Sequence, residues 1–181
     1  MPQTNFQGLR VLALEARRAI EIAKLIRAHG GEPMVAPAMQ EVPLESNEAA
    51  LEFADAVMRG EIDMVIFQTG VGVQTLLEIV ELRYPREEFL AELRKINIAA
   101  RGPKPVAALR KFDVPVAVSA PEPCTWREMM GAISARFGAS LSGQRVAVQE
   151  YGVANTELLD ALSAADAKVL RVPVYQWALP D

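Results

Sequence analysis

The sequence has few of the residues from which metal centres and disulfide frameworks are built. It contains one cysteine, Cys124, and one histidine, His29. A single cysteine cannot form an internal disulfide, which is typical of a protein from a reducing cytoplasm. One histidine excludes a histidine-rich metal cluster. We therefore predict a cytoplasmic protein without a metal site.

Long apolar runs and long basic runs are also missing. The longest apolar stretches, such as Met64–Phe67 and Val114–Val118, have the length of a strand and are far shorter than a membrane span. Residues 1–5 lack the basic and then apolar layout of a secretory signal. With a formal net charge of −4, this segment is not expected to bind nucleic acid or a membrane.

Strand and helix patterns alternate along the chain, which predicts an α/β fold with a mostly parallel sheet. Amphipathic helices separate five apolar runs, and these runs predict one complete doubly wound domain. The five predicted strands cover residues 64–68, 96–100, 114–119, 145–149 and 168–173. The predicted helices cover residues 49–59, 73–82, 86–95, 103–112, 126–137 and 156–164, and the fifth of them opens with a Thr125–Glu128 capping box.

A separate βαβ pattern precedes this domain. Its strands at 9–14 and 32–36 flank a helix at 16–29 and end at Pro37, and the polar residues 38–48 predict a connector. We expect residues 1–38 to be a βαβ part of a first domain and 39–174 to be a complete second domain. Residues 175–181 are expected to be a hinge returning to the first domain.

The start of the chain resembles its end. Gln7–Val11 is similar to Ser142–Val146, and Glu15 matches Glu150 at the same offset, although any two βαβ units share such features. Too few residues follow Ser142 for a whole second copy, and a two-stranded piece is marginal alone. We expect a chain shortened at its C-terminus. The full-length protein is then a monomer, and the short chain forms edge-paired or swapped dimers.

Five short motifs follow one another in a fixed order, and together they extend over essentially the whole chain. They are Gly8–Leu12 leading through Gly30-Gly31-Glu32 to Pro37, Phe67–Val73, Arg101–Pro105, Pro121–Glu128 and Val172–Tyr175. Their order and spacing resemble those of the uroporphyrinogen-III synthase family, and the tracts GPKP, PEPCTWRE and AVQEYG resemble a bacterial sub-branch of it. Pro105 departs from the family pattern, which has a threonine there, whereas the hydroxyl of the first glycine turn is retained as Thr69.

The resemblance implies two flavodoxin-like doubly wound domains, of which this chain holds one and a fragment of the other. It also implies a cofactor-free hydro-lyase that closes hydroxymethylbilane, a flexible linear tetrapyrrole with many carboxylates, while inverting the last pyrrole ring. By the same resemblance Tyr175 faces the cleft as the catalytic candidate. A core tyrosine with a solvated hydroxyl is the alternative. The short chain alone is expected to be inactive.

Substrate carboxylates are expected at strand-to-helix turns, where backbone N–H groups and the helix dipole attract anions. In doubly wound sheets these turns form the ligand crevice. Arg17 and Lys104 are the cationic candidates, and surface solvation is their alternative role. Asn155 is also a candidate helix cap. The predicted substrate-binding residues are Arg17, Thr69, Gly70, Val71, Gly72, Arg101, Gly102, Pro103, Lys104, Thr125, Tyr151, Gly152 and Asn155.

Two other functions remain open on the sequence. One is a non-catalytic sensory module that binds a tetrapyrrole or another polyanion for a regulator, which Pro105 slightly favours. The other is a flavodoxin-like domain for a nucleotide or a flavin. Gly70 and Gly72 begin a dinucleotide fingerprint, but Thr75 stands at its third glycine position, so the second alternative is disfavoured.

Overall fold

The computed structural model of the protein describes residues 5–180. The chain divides into two compact units, one formed by Met1–Val42 with Trp177–Asp181 and the other by Pro43–Gln176. Residues 1–4 and 181, which belong to the predicted N-terminal segment and hinge, lie outside the described residues. None of the helices between residues 5 and 180 is long and apolar enough to cross a bilayer.

The smaller unit contains the predicted βαβ element. Its strands β1 (Arg10–Ala13) and β2 (Glu32–Val35) are parallel and are joined by α1 (Ala19–Ala28). Residues 38–48, predicted as a connector, contain a short strand that was not predicted, β3 (Gln40–Val42). This strand pairs with β9 (Gln176–Ala178). A three-residue strand whose partner is distant in sequence has too few residues to show a period.

The larger unit is built on a five-stranded parallel sheet, as predicted. Its strand order is β6-β5-β4-β7-β8, and every pair is parallel. One boundary was wrong: the strand predicted at 114–119 is paired only over two residues. Pro115 has no backbone N–H to donate, so it cannot take part in the ladder itself. The strands are β4 (Met64–Phe67), β5 (Asn97–Ala100), β6 (Val118–Ser119), β7 (Arg145–Glu150) and β8 (Lys168–Pro173).

Six helices accompany this sheet: α2 (Glu48–Met58), α3 (Gly70–Val80), α4 (Arg86–Leu93), α5 (Pro103–Arg110), α6 (Trp126–Phe137) and α7 (Thr156–Ala164). Helix α3 begins three residues earlier than predicted. The cause is a cap, since the hydroxyl oxygen of Thr69 accepts a hydrogen bond from the backbone N–H of Gly72 at 2.9 Å. A capped first turn can start on glycine despite its low helix propensity.

The sheet is buried on both faces. Met64 and Ile66 of β4 belong to the cluster that includes Met129 of α6 and Leu158 of α7. Because side chains alternate along a strand, Val65 and Phe67 point to the opposite face. All four strand residues are buried. This explains why β4 is an unbroken apolar run rather than an alternating one.

The strand order contains one reversal. From β4 the chain moves outward to β5 and β6 on one side, then returns to place β7 and β8 on the other side. The carboxyl ends of β4 and β7 are therefore adjacent at the point where the winding direction changes. In doubly wound sheets, ligands bind in the crevice outside such a switch point.

Candidate functional site

Tyr175 contacts the residues that follow β4 and β7. Its hydroxyl lies 3.2 Å from the hydroxyl of Thr69 at the end of β4. Its backbone carbonyl accepts a hydrogen bond from the N–H of Gly152 at 3.1 Å. Only 4% of Tyr175 is exposed. The predicted catalytic candidate is therefore held from both sides of the switch point.

Two aromatic rings and one guanidinium stack beside these contacts. The ring of Tyr151 lies 6.3 Å from that of Tyr175, and the guanidinium carbon of Arg101 lies 4.9 Å from the centre of the Tyr151 ring. Arg101 also donates to the side-chain oxygen of Gln68 at 3.4 Å. A guanidinium over an aromatic face is attracted by the ring quadrupole, so this stack orients Arg101 at the carboxyl edge of the sheet.

The turns after β4, β5 and β6 pack directly on one another. A side chain at Gly70 would come within 2.8 Å of the backbone carbonyl oxygen of Lys104, and one at Gly102 within 2.8 Å of the Cys124 sulfur. Gly102 also has a φ of +95°, which side-chain-bearing residues rarely adopt. Glycine is required at both positions for this close approach. Pro105, which replaces the threonine of the family pattern, is buried in the same α5 turn.

The remaining members of these turns differ in exposure. Pro103 and Lys104 are exposed, and Val71 is half-buried. The Lys104 side chain is therefore available to a ligand at the start of α5. An ordinary surface lysine has the same exposure.

Thr125 and Asn155 act as helix caps. Thr125 and Glu128 form the predicted capping box, in which the Thr125 N–H and hydroxyl both donate to the Glu128 carboxylate. The hydrogen bond from the Thr125 hydroxyl lowers the pKa of Glu128 below its usual range. The side-chain oxygen of Asn155 accepts from the N–H of Leu158 at 3.0 Å. Both side chains therefore have a structural role.

Arg17 lies in the smaller unit, where the structure gives it other partners. Its guanidinium forms an ion pair with Glu41 and lies 5.3 Å from the centre of the Trp177 ring. These contacts link the segment after β1 to β3 and β9. Within the described residues Arg17 therefore has a structural partner for its charge.

Sequence reasoning missed Gln149 as a site residue. This side chain is 0% exposed at the end of β7, and its amide hydrogen-bonds to three backbone groups. Gln68, which is 3% exposed at the end of β4, was missed as well. Both glutamines follow apolar runs directly. A polar residue in the last buried position of a parallel strand is the signal that finds them.

Glu150 has a defined partner next to the site. Its carboxylate is buried and accepts hydrogen bonds from both Arg171 Nε and Nη2, at 3.0 Å from one oxygen each. The ion pair raises the pKa of Arg171 above its ordinary value. Glu150 therefore ties β7 to β8 immediately before the turn that carries Tyr151.

The fold is that of a doubly wound α/β protein whose turns after β4 and β7 meet at the switch point of the sheet, and comparison with known proteins shows the family. The family model described as Uroporphyrinogen-III synthase HemD matches residues 20–181. Among solved structures, two crystal forms of uroporphyrinogen III synthase from the extremely thermophilic bacterium Thermus thermophilus share the fold. One, a methionine-substituted variant, is 25% identical with a TM-score of 0.75, and the wild type is 26% identical with a TM-score of 0.66. The chain belongs to the uroporphyrinogen-III synthase family.

Two curated relatives match at a similar sequence identity. The chain is 30% identical over 174 residues to the uncharacterized protein YjjA of Bacillus subtilis, covering 96% of this chain and 63% of that protein. It is 28% identical over 137 residues to a protein of Methanothermobacter thermautotrophicus described as a putative uroporphyrinogen-III synthase, covering 74% of this chain and 52% of that protein. The matches to the two Thermus structures cover 96% of this chain. They cover 64% of the variant chain and 63% of the wild-type chain. The chain thus spans less than two thirds of the length of these relatives.

Proposed function

We propose that the protein carrying this chain is a uroporphyrinogen-III synthase, which cyclises hydroxymethylbilane with loss of water and inversion of the last pyrrole ring. Family membership supports the reaction class. The observation that carries the proposal for this chain is the contact between the Tyr175 and Thr69 hydroxyls at the switch point of the sheet.

The proposed reaction breaks one C–O bond and makes one C–C bond. The hydroxyl of the substrate takes up a proton and leaves as water, and a carbon of the last pyrrole captures the cation that remains. Capture at the substituted carbon gives a spiro intermediate. Its older C–C bond to the neighbouring bridge carbon then breaks, and that bridge carbon bonds to the free carbon of the inverted ring. The proton lost from this carbon balances the one taken up by the leaving hydroxyl. Capture at the free carbon gives the uninverted type I ring, and this is the spontaneous outcome. The protein must therefore select one folded conformation of the substrate.

A chain of hydrogen bonds leads to the Tyr175 hydroxyl. The Gly72 N–H donates to the Thr69 oxygen, and the proposal assigns the Thr69 hydroxyl as the donor to the Tyr175 oxygen. In this direction the Tyr175 oxygen accepts from Thr69, and the proposal has the phenol transfer its proton to the departing hydroxyl of the substrate. Successive hydrogen bonds polarise one another, which makes the phenol a better donor. Because Tyr175 is almost fully buried, the proposal requires a movement that exposes its hydroxyl to the substrate.

The carboxylates of the substrate are proposed to meet Arg101, Lys104 and backbone N–H groups of the adjoining turns. Arg101 offers a planar guanidinium that is already oriented by Tyr151. Lys104 supplies an exposed charge at the first turn of α5. Tyr151, which is half-buried, is proposed to present its ring to a pyrrole. Thr125, Asn155 and Arg17 have structural partners, so they are weaker candidates for contact with the substrate.

Product analysis tests the proposal. The gene product that contains these 181 residues is incubated with hydroxymethylbilane, and the type I and type III uroporphyrinogens are separated by chromatography after oxidation. A synthase yields type III in excess of the type I background seen with heat-denatured protein. If only type I appears, at the rate of the denatured control, the enzyme proposal is wrong.

The same experiment addresses a non-catalytic binding module, which the replacement of threonine by Pro105 favours. A sensory module would not form the type III ring yet would bind a stable tetrapyrrole product. Titration with uroporphyrinogen III, followed by quenching of tryptophan fluorescence under anaerobic conditions, measures that binding. Saturable binding without any type III product would replace the enzyme by the binding module.

A further inference from the structure

Gln149 occupies the point where the two central strands of the sheet separate. It is the last residue of β7 that pairs with β4, opposite Phe67. Its side chain is 0% exposed. A buried amide without hydrogen bonds would be costly, so its contacts show what holds it there.

The Gln149 amide continues the connection between β4 and β7 where their ladder ends. Its oxygen accepts from the N–H groups of Gln68 at 3.2 Å and of Thr69 at 3.3 Å. Its nitrogen donates to the backbone carbonyl of Glu150 at 2.7 Å. The backbone partners fix which end is oxygen and which is nitrogen, because N–H groups only donate and carbonyls only accept.

Both backbone segments joined by this amide also hold Tyr175. On the β4 side, Thr69 contacts the Tyr175 hydroxyl. On the β7 side, the residues after Glu150 supply the Tyr151 ring and the Gly152 N–H that contact Tyr175. One side chain therefore bridges these two supports just beyond the last paired residues of β4 and β7.

The start of α3 is shaped around the same side chain. A side chain at Gly72 would overlap the Gln149 amide group, so this glycine leaves the space that the amide fills. Gly72 also donates the hydrogen bond that caps α3 through Thr69. Gln149 and Gly72 thus form one packed unit beneath the Thr69 hydroxyl.

We infer that Gln149 is a positioning residue of the proposed active site: its amide spans the ends of β4 and β7 and thereby fixes the Tyr175 hydroxyl relative to Thr69. This inference rests on the proposed function and names a further residue of the same site. Gln149 acts through Thr69 and Tyr175 and does not itself meet the substrate.

Two substitutions separate the amide's roles. Gln149→Met keeps the length of the side chain but removes both its acceptor and its donor. Gln149→Glu keeps the acceptor, but an ionised carboxylate cannot donate to the Glu150 carbonyl. A protonated carboxyl regains a donor, so acid should restore part of the function of Gln149→Glu. The matched control is Gln144→Met, the same change before the first residue of β7, at the opposite end of that strand.

Steady-state kinetics with hydroxymethylbilane give the first measurement. Gln149→Met should lower kcat by about ten- to hundredfold, because a reacting group displaced by about 1 Å loses that much rate. The KM should stay within about twofold, since contacts to the substrate carboxylates remain. Gln144→Met should leave both constants unchanged. The ratio of Gln149→Glu to wild-type activity should rise as the pH is lowered. The inference is overturned if Gln149→Met has the kcat of the wild type. It is also overturned if the ratio of Gln149→Glu to wild-type activity does not change with pH.

A spectroscopic measurement separates this inference from the proposed function. Tyrosine labelled with ¹³C at Cζ gives a resonance for Tyr175, assigned by its loss in Tyr175→Phe. The Tyr175 resonance should shift in Gln149→Met. The Tyr84 resonance should not, because the Tyr84 hydroxyl is bonded to Asp55 away from this site. If the wild type makes no type III product, the proposed function fails, and the resonance alone decides whether Gln149 positions Tyr175. If Gln149→Met does not fold, Gln149→Glu decides by the same resonance. An unshifted Tyr175 resonance in a folded variant overturns the inference.

Discussion

The hydroxyls of Thr69 and Tyr175 lie 3.2 Å apart although the two residues are 106 positions apart in the chain. This contact joins the end of the central strand β4 to the segment that follows β8. Under the proposed mechanism, Tyr175→Phe removes the proton that assists the departure of water. We expect kcat to fall by about a hundredfold, as for the loss of a general acid, with little change in KM. Initial rates of type III formation measure this.

Tyr84→Phe is the matched control for that prediction. Tyr84 donates to Asp55 at 2.9 Å, away from the switch point of the sheet. This variant should therefore retain wild-type turnover.

The unfolding free energy of Tyr175→Phe should fall by only about 1 kcal/mol, the usual loss for one hydrogen bond. Equal turnover in wild type and Tyr175→Phe would remove the phenol from the mechanism.

Much of the larger unit was predictable because its signals are local. The apolar runs of β4 and β7 are long enough to mark buried parallel strands, and the Thr125–Glu128 spacing marks a capping box within four residues. Strand β6 is paired over only two residues, and that boundary was missed. The pairing of β3 with β9 could not be read from the sequence, since no short pattern joins residues so far apart.

The candidate site also has some features that the sequence shows and others that only the fold reveals. The glycine turns after β4 and β5 are visible in the sequence because close approach demands glycine. The partners of Gln149 and Arg17 are not visible, since each depends on which distant backbone or side chain the fold brings near. Its charge and its position after the first predicted strand made Arg17 a candidate for the substrate. Its ion pair with Glu41 shows that long-range packing decides such roles.

Arg101 should contribute to substrate affinity rather than to the chemical step. Its guanidinium lies over Tyr151 and reaches Gln68. Arg101→Met removes a charge-assisted contact worth about 1.5–3 kcal/mol, which corresponds to a rise in KM of about ten- to hundredfold. The kcat should change little. High salt should narrow the gap between wild type and variant, because it screens the interaction of exposed charges.

Arg136→Met provides the comparison for Arg101. Arg136 also lies over an aromatic ring, 5.3 Å from the centre of Phe137, but at the end of α6 remote from the strand-to-helix turns. This variant should keep the wild-type KM at every salt concentration. A KM that rises equally in both variants would indicate a general effect of positive charge and would contradict a specific role for Arg101.

The ion pair between Asp63 and Arg145 should make stability depend on pH in the acid range. The Asp63 carboxylate accepts from Arg145 Nε at 2.9 Å and Nη2 at 3.0 Å, and also from its backbone N–H at 2.8 Å. The side-chain hydrogen bonds from Arg145 lower the pKa of Asp63 below its ordinary value of 3.8. A group whose pKa is lower in the folded state stabilises the protein above its unfolded pKa. That contribution is lost as the pH falls through the folded pKa.

Asp63→Asn should therefore reduce the unfolding free energy at neutral pH by about 1 kcal/mol, a value kept small because the pair is partly exposed. The difference from wild type should shrink as the pH falls below about 4. Urea unfolding at a series of pH values measures it. Asp160→Asn, at an exposed position of α7, should change the unfolding free energy by less than about 0.5 kcal/mol. A difference for Asp63→Asn that stays constant from neutral to acid pH would contradict the assignment.

Replacement of two helical glycines by alanine should change the unfolding free energy in opposite directions. At Gly72 an added methyl would overlap the buried Gln149 amide, whereas at Gly131, within α6, a methyl would meet no atom within 4 Å. Gly131→Ala should raise the unfolding free energy by about 0.5–1 kcal/mol, since alanine favours helix. Gly72→Ala should lower it by about 1–3 kcal/mol through overpacking. Denaturant unfolding of both variants under one condition measures the contrast. Stabilisation by Gly72→Ala would mean that the Gln149 amide does not fill the space beneath Thr69.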